Sequence, residues 1–131
     1  MSAEPPRISD AEWTVMRAIW GRGEASATEV VETLEGQTSW SPRTVRTLLG
    51  RLVKKGALGF REQGREYVYQ PLIDERSTEL EASRSFLDRV FDGKLAPFLA
   101  TFVESGNYSA DDIAALKRIV EESESNPPTA S

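Results

Sequence analysis

The chain has 131 residues, a formal net charge of −5, and neither cysteine nor histidine. That length fits one ordinary domain or two small ones. Without those two residue types there is no disulfide, thiolate nucleophile or histidine general base, and nearly every zinc or copper site is lost, so no metal or cofactor is expected. No apolar run approaches a membrane span, so no membrane insertion is expected. The opening MSAEPPRISD carries no signal-peptide core, which gives a cytoplasmic location as the expectation.

Residues 1–7 read as a disordered lead. Ser9 and Glu12 form a capping box, stapled by Ile8 and Trp13, and open a first helix with Trp13, Val15, Met16, Ile19 and Trp20 as its apolar positions. Gly21-Arg22-Gly23 breaks it. Ser26 and Glu29 make a second capping box for a short helix with Val30, Val31 and Leu34 inward, stopping at Gly36.

The segment SWSPRTVRTLLGRLVKKG, Ser39 to Gly56, is the most informative. Ser41 is a good N-cap, Pro42 suits the first helical position, Trp40 can staple onto Val45, and Gly56 ends the helix. Val45, Leu48, Leu49, Leu52 and Val53 fall on one stripe at helical spacing. Arg43, Arg46, Thr47, Gly50 and Lys54 fall on the opposite stripe, with Arg51 and Lys55 at its margin. No acid occurs between Ser41 and Gly56, whereas a merely solvated helix face usually mixes both signs. A helix apolar on one side and cationic on the other is shaped for a DNA major groove.

After this helix the period changes. LGFRE and REYVYQP flank Gln63-Gly64, which is read as a tight hairpin turn. Tyr67 and Tyr69 are expected in the core. The order helix, helix, basic helix, hairpin is that of a winged helix-turn-helix. From Asp74 a long helix is expected to about Asp92, with Leu80, Phe86, Leu87, Val90 and Phe91 inward, ended by Gly93. A second starts near Leu95, because Pro97 is tolerated only in a first turn. It carries Phe98, Leu99, Phe102 and Val103. The third is capped by Ser109 and Asp112 and carries Ile113, Leu116, Ile119 and Val120.

The fold class is therefore mainly α with a small β-hairpin wing. The expected domains are a winged helix over residues 8–73 and a helical domain over residues 74–122, with disordered tails at 1–7 and 123–131. The charge is as unevenly placed as the elements: seven cations against one acid between Ser41 and Arg65, six against twelve from Asp74 onward. A local basic patch on an acidic chain suits a site-directed DNA binder rather than a charge-driven one.

Arg43, Arg46 and Thr47, in the N-terminal half of the exposed stripe, are the expected base-reading residues. Ser41, Thr44, Arg51, Lys54 and Lys55, with Arg61 and Arg65 flanking the wing turn, are the expected contacts to the DNA backbone. The last three helices total some fifty residues, marginal for an independent core. A homodimer is expected, joined through Leu80, Phe86, Leu87, Val90, Phe91, Phe98, Leu99, Phe102, Ile113, Leu116, Ile119 and Val120, since a two-fold dimer can read an inverted repeat. No catalytic constellation is present, so no enzyme is expected. Two alternatives stay open: a winged helix used for protein–protein assembly, which predicts no salt-sensitive DNA binding, and a DNA-binding regulator triggered by a small ligand.

Several of these motifs together resemble the penicillinase-repressor family, the BlaI/MecI/CopY group of bacterial transcriptional repressors. They are ISDAEWTVMRAIW, SATEVVETL, WSPRTVRTLLGRLVKKG, YVYQPLI, SRSFLDRVFDG and PFLATFVESGNYSADDIAALKRIV, spanning Ile8 to Val120. The resemblance implies a winged helix, a C-terminal dimerisation domain, and repression through operator DNA with inverted TACA/TGTA cores. In the β-lactam branch it also implies a membrane-bound sensor protease pathway that leads to repressor cleavage at an Asn-Phe bond. That bond aligns with Thr101–Phe102, and the chain departs from the pattern at Thr101. It implies β-lactam-resistance or cell-wall genes as targets. The copper-responsive branch uses C-terminal cysteines, which this chain lacks.

Overall fold

The computed structural model describes residues 6–126. The expected tails at residues 1–5 and 127–131 lie outside the described residues. The elements run α1 (Asp10–Arg22), β1 (Ala25–Ser26), α2 (Ala27–Leu34), α3 (Pro42–Lys55), β2 (Leu58–Gln63), β3 (Glu66–Pro71), α4 (Glu75–Phe91), α5 (Leu95–Ser105) and α6 (Ala110–Ser125). The chain divides into two compact units, Met1–Ser83 and Arg84–Ser131, which meet within α4.

In the first unit both capping boxes form. Ser9 Oγ accepts from the Glu12 amide and Ser26 Oγ from the Glu29 amide, and each glutamate reaches back to its cap. α1 continues through Gly21 to Arg22 and is capped by Gly23, two residues past the first glycine, because its backbone ladder tolerates Gly21. Val15, Met16 and Ile19 from α1, Val30 and Leu34 from α2, and Val45, Leu48, Leu49 and Leu52 from α3 close one core, with Ala57 and Leu58 as its floor. Trp40 and Val53 pack half-buried against it.

A three-stranded antiparallel sheet in the order β1-β3-β2 flanks the helices. The two-residue β1 pairs Ala25 with Tyr69 and Ser26 with Val68, an edge too short for periodicity to reveal. The hairpin turn lies one residue later than expected. Gln63 pairs with Glu66, so the loop is Gly64-Arg65. Only Gly64 takes positive φ, +66°, the pattern of a turn with glycine at its first central position.

The register also decides the aromatic face. Ala25, Val68 and Leu58 are buried, while Phe60 and Tyr67 are 47% exposed, so Tyr67 is not a core residue as the sequence suggested. Tyr67 shares its sheet face with Phe60, Tyr69, Leu58 and Ala25, but only Leu58, Ala25 and half-buried Tyr69 reach the core; Tyr67 lies opposite Glu62, one pair from the wing turn and beyond the end of the core.

The first turns of α4 are held to α1. Trp20 Nε1 donates to the Ile73 carbonyl at 3.1 Å. Arg17 lies 3.8 Å from Glu75 and 3.5 Å from Glu79, and stacks over Trp13 at 5.1 Å. In the second unit Phe86, Phe91, Phe98 and Phe102 form an edge-to-face cluster with centroids 5.2–6.1 Å apart. Neither α5 nor α6 buries a single residue, and α4 buries none either. Leu87, Phe91, Phe98, Leu99, Ile113 and Leu116 are half-buried; Leu80, Phe86, Val90, Phe102, Ile119 and Val120 are exposed.

α6 also corrects the expected tail at its start. Residues 123–125 are helical, and the Asn126 amide donates to the Glu122 carbonyl at 2.9 Å. The apolar stripe stops at Val120, but a stripe marks where packing ends, whereas the backbone ladder runs on.

Candidate nucleic-acid interface

α3 carries the basic face. Ser41 Oγ accepts from the Thr44 amide at 3.2 Å, Pro42 occupies the first turn, and Gly56 closes the helix at φ +84°. The fourteen-residue helix buries Val45, Leu48, Leu49 and Leu52, which turns Arg43, Thr44, Arg46, Thr47, Gly50, Arg51 and Lys54 to solvent. Among the described residues, no carboxylate is ion-paired with Arg43, Arg46, Arg51, Lys54 or Arg65. Five uncompensated cations on one side are a long-range attractor for polyanions.

The hydroxyls on this face are partly committed. Thr47 Oγ1 donates to the Arg43 carbonyl at 3.0 Å, which leaves its methyl and its lone pairs outward. The Ser41 and Thr44 hydroxyls are 3.2 Å apart and share one bond, so one proton of the pair is left for an external acceptor.

Two of the expected backbone cations are engaged within the protein. Lys55 Nζ donates to Glu12 and to the Arg7 carbonyl. Glu12 is 1% exposed; burial alone raises its pKa, but hydrogen bonds from Lys55 and the Ser9 amide outweigh that and hold the carboxyl below its ordinary value. Lys55 therefore ties the end of α3 to the start of α1. Arg61 bonds Glu24 through both terminal nitrogens, at 3.1 and 2.8 Å, and Gln63 at 2.9 Å. Its Glu24 hydrogen bond holds that carboxyl low and the guanidinium high. Neither partner is adjacent in sequence, and spacing alone gives no sign of either pair.

Arg46 and Arg65, from helix and wing, meet across a small cavity of about 140 Å³, which Ala27, Thr28, Glu66, Tyr67 and Tyr69 also line. Burial raises the Tyr69 phenol pKa, the neighbouring Tyr67 adds to this, and Arg46 opposes it. Phe60 stacks on Tyr67 with centroids 4.7 Å apart and on Tyr69 at 6.1 Å. Sequence spacing missed Thr28 and Glu66 here; of the two tyrosines it placed in the core, Tyr69 packs half-buried against the core while Tyr67 is exposed.

No helix among the described residues is long and apolar enough to cross a membrane. No cluster of carboxylates that could hold a metal ion occurs among them either.

Comparison with known proteins agrees with this geometry. The chain is 42% identical over 117 residues to the penicillinase repressor of Bacillus licheniformis, covering 89% of this chain and 91% of that protein. It is 36% identical over 113 residues to the methicillin resistance regulatory protein MecI of Staphylococcus aureus, covering 86% and 92%. The solution structure of the DNA-binding domain of the repressor BlaI superposes with a TM-score of 0.52 at 46% identity, over 56% of this chain and 90% of that one. Bacillus licheniformis BlaI in monomeric form, in complex with the blaP half-operator, gives 0.50 at 47% identity, over 55% and 88%. The family model described as penicillinase repressor matches residues 8–122. The chain belongs to the penicillinase repressor family, whose members are DNA-binding transcriptional repressors and not enzymes.

Proposed function

We propose that this repressor acts as a homodimer on an inverted-repeat operator, each protomer placing α3 in one major groove. The unpaired cationic face of α3 carries the reading. Arg43 can bridge guanine O6 and N7, and Thr47, its hydroxyl turned back on the helix, offers its methyl to a thymine methyl. Arg51 and Lys54 hold phosphates, as does the spare proton of Ser41 and Thr44.

The dimer rests on the second unit. Its apolar side chains, Val90 and Ile119 among them at 55% and 61% exposure, stay uncovered in a single chain. A second copy is the occupant, because one winged helix reads only a half-site. By the family resemblance, induction runs through a sensor-protease pathway that cuts at Thr101–Phe102, and the targets are β-lactam-resistance or cell-wall genes. Phe102 is 54% exposed rather than buried, yet the bond lies in mid-helix, with Thr101 Oγ1 donating to the Pro97 carbonyl at 2.9 Å. Cutting it requires α5 to unwind locally.

Titration of a labelled duplex from the promoter of its own gene against a scrambled duplex, at two salt concentrations, tests the function. Tight binding to the promoter alone, weakening steeply with salt, is expected. Equal or absent binding would favour a protein-assembly role.

A further inference from the structure

We propose that the cavity between Arg46, Arg65 and the two tyrosines is a seat for one phosphodiester group of the operator backbone. The seat clamps that phosphate between recognition helix and wing. This rests on the operator-binding reading above and adds a site to it.

The chemistry of the walls points to an oxyanion. Arg46 and Arg65, from separate elements, line one small cavity of about 140 Å³. Among the described residues neither guanidinium has a carboxylate partner, and Tyr67 is 47% exposed while Tyr69 is half-buried. Phenols and guanidiniums donate hydrogen bonds, and forked guanidiniums match phosphate oxygens. The wall is completed by the first turn of α2, whose Ala27 and Thr28 amides precede any intrahelical acceptor.

One wall residue opposes an anion. Glu66 also lines the cavity, where it accepts from Thr28 Oγ1 at 3.2 Å. Two cations against one carboxylate leave the seat positive, and Glu66 weakens it. Arg46 is thereby drawn to the wing side of the α3 face, and base reading falls to Arg43 and Thr47.

Full-length protein and a duplex from its own promoter serve as the test, with affinity read across a salt series. Arg65→Ala is expected to weaken binding about tenfold and to flatten the log K against log salt slope by about one per protomer. Tyr69→Phe, which keeps the ring, is expected to weaken it about threefold at unchanged melting temperature. Glu66→Gln is expected to tighten binding about threefold, with the gain shrinking as salt rises. A residue that merely supports the wing does not give that tightening.

The proposal is overturned if the wild type binds its promoter duplex but Arg65→Ala and Tyr69→Phe bind as well as it does, or if Glu66→Gln weakens binding. Saturable binding of inorganic phosphate below millimolar concentration in the absence of DNA would also overturn it, reassigning the seat to a free oxyanion. If the wild type fails to bind the duplex at all, the operator reading itself has failed, which is a separate result.

Discussion

At the scale of single residues, like charges have unlike fates. Lys54 and Lys55 are adjacent in the sequence, yet Lys54 stands free on the α3 face while Lys55 is paired with buried Glu12. Lys54→Ala is expected to flatten the salt dependence of promoter binding by about one per protomer with little effect on the melting temperature, whereas Lys55→Ala lowers the melting temperature and leaves the slope unchanged. A salt titration beside a thermal melt separates the two. Glu12→Gln is expected to cost about 1–3 kcal/mol in urea unfolding, since it strands a part-buried ammonium group. The pH dependence follows from the direction of the Glu12 shift. Its folded pKa lies below the ordinary value of 4.5, so its contribution is fully present above that value and is lost as pH falls through the folded pKa. Unfolding of the wild type from neutral pH down to acid should show that loss, and the Glu12→Gln protein should show a shallower acid limb.

At the scale of elements, α3 answers to two surfaces. Leu49 and Leu52 are wholly buried, so Leu49→Ala should cost about 2–5 kcal/mol, read as a drop in urea midpoint at unchanged slope. Gly50, on the other face, has nothing within 4 Å of where a Cβ would sit. The fold does not require glycine there, and Gly50→Ala should stabilise the protein by about 1 kcal/mol of helix propensity. A melting temperature that does not rise would refute this. Promoter affinity of the same variant reports whether the DNA backbone approaches that position: a fall with a raised melting temperature places the duplex against Gly50.

At the scale of the whole molecule, two units do separable work. The winged helix has its own closed core, whereas the second unit leaves its apolar residues uncovered. If the proposed dimer forms through this unit, Leu116→Asp should convert it to a monomer in sedimentation, leave half-site binding intact, and abolish the gain from binding two half-sites together. A chain ending at Thr101 should behave the same way; if it stays dimeric and binds the operator as tightly as the full chain, induction through cleavage is wrong.

How much of this was legible in the chain differs from place to place, for physical reasons. The capping boxes, the amphipathic α3 with its acid-free face, and the glycine stops are local devices, written within four residues of one another, and sequence alone determined them. Family membership was legible for the same reason, through motifs in fixed order. The two-residue β1 was not, because its partners on β3 lie more than forty residues away in the chain; nor were the one-residue shift of the wing turn and the exposure of Tyr67, which are set by the exact β2–β3 register and by where the core ends. Nor were the fates of Lys55 and Arg61. Each is one cation in a basic stretch until the fold brings up Glu12, forty-three positions away, or Glu24, thirty-seven away. The sequence determined which helix is cationic; only the tertiary structure decided which of its charges remain free, because a charge is neutralised by what lies near it in space.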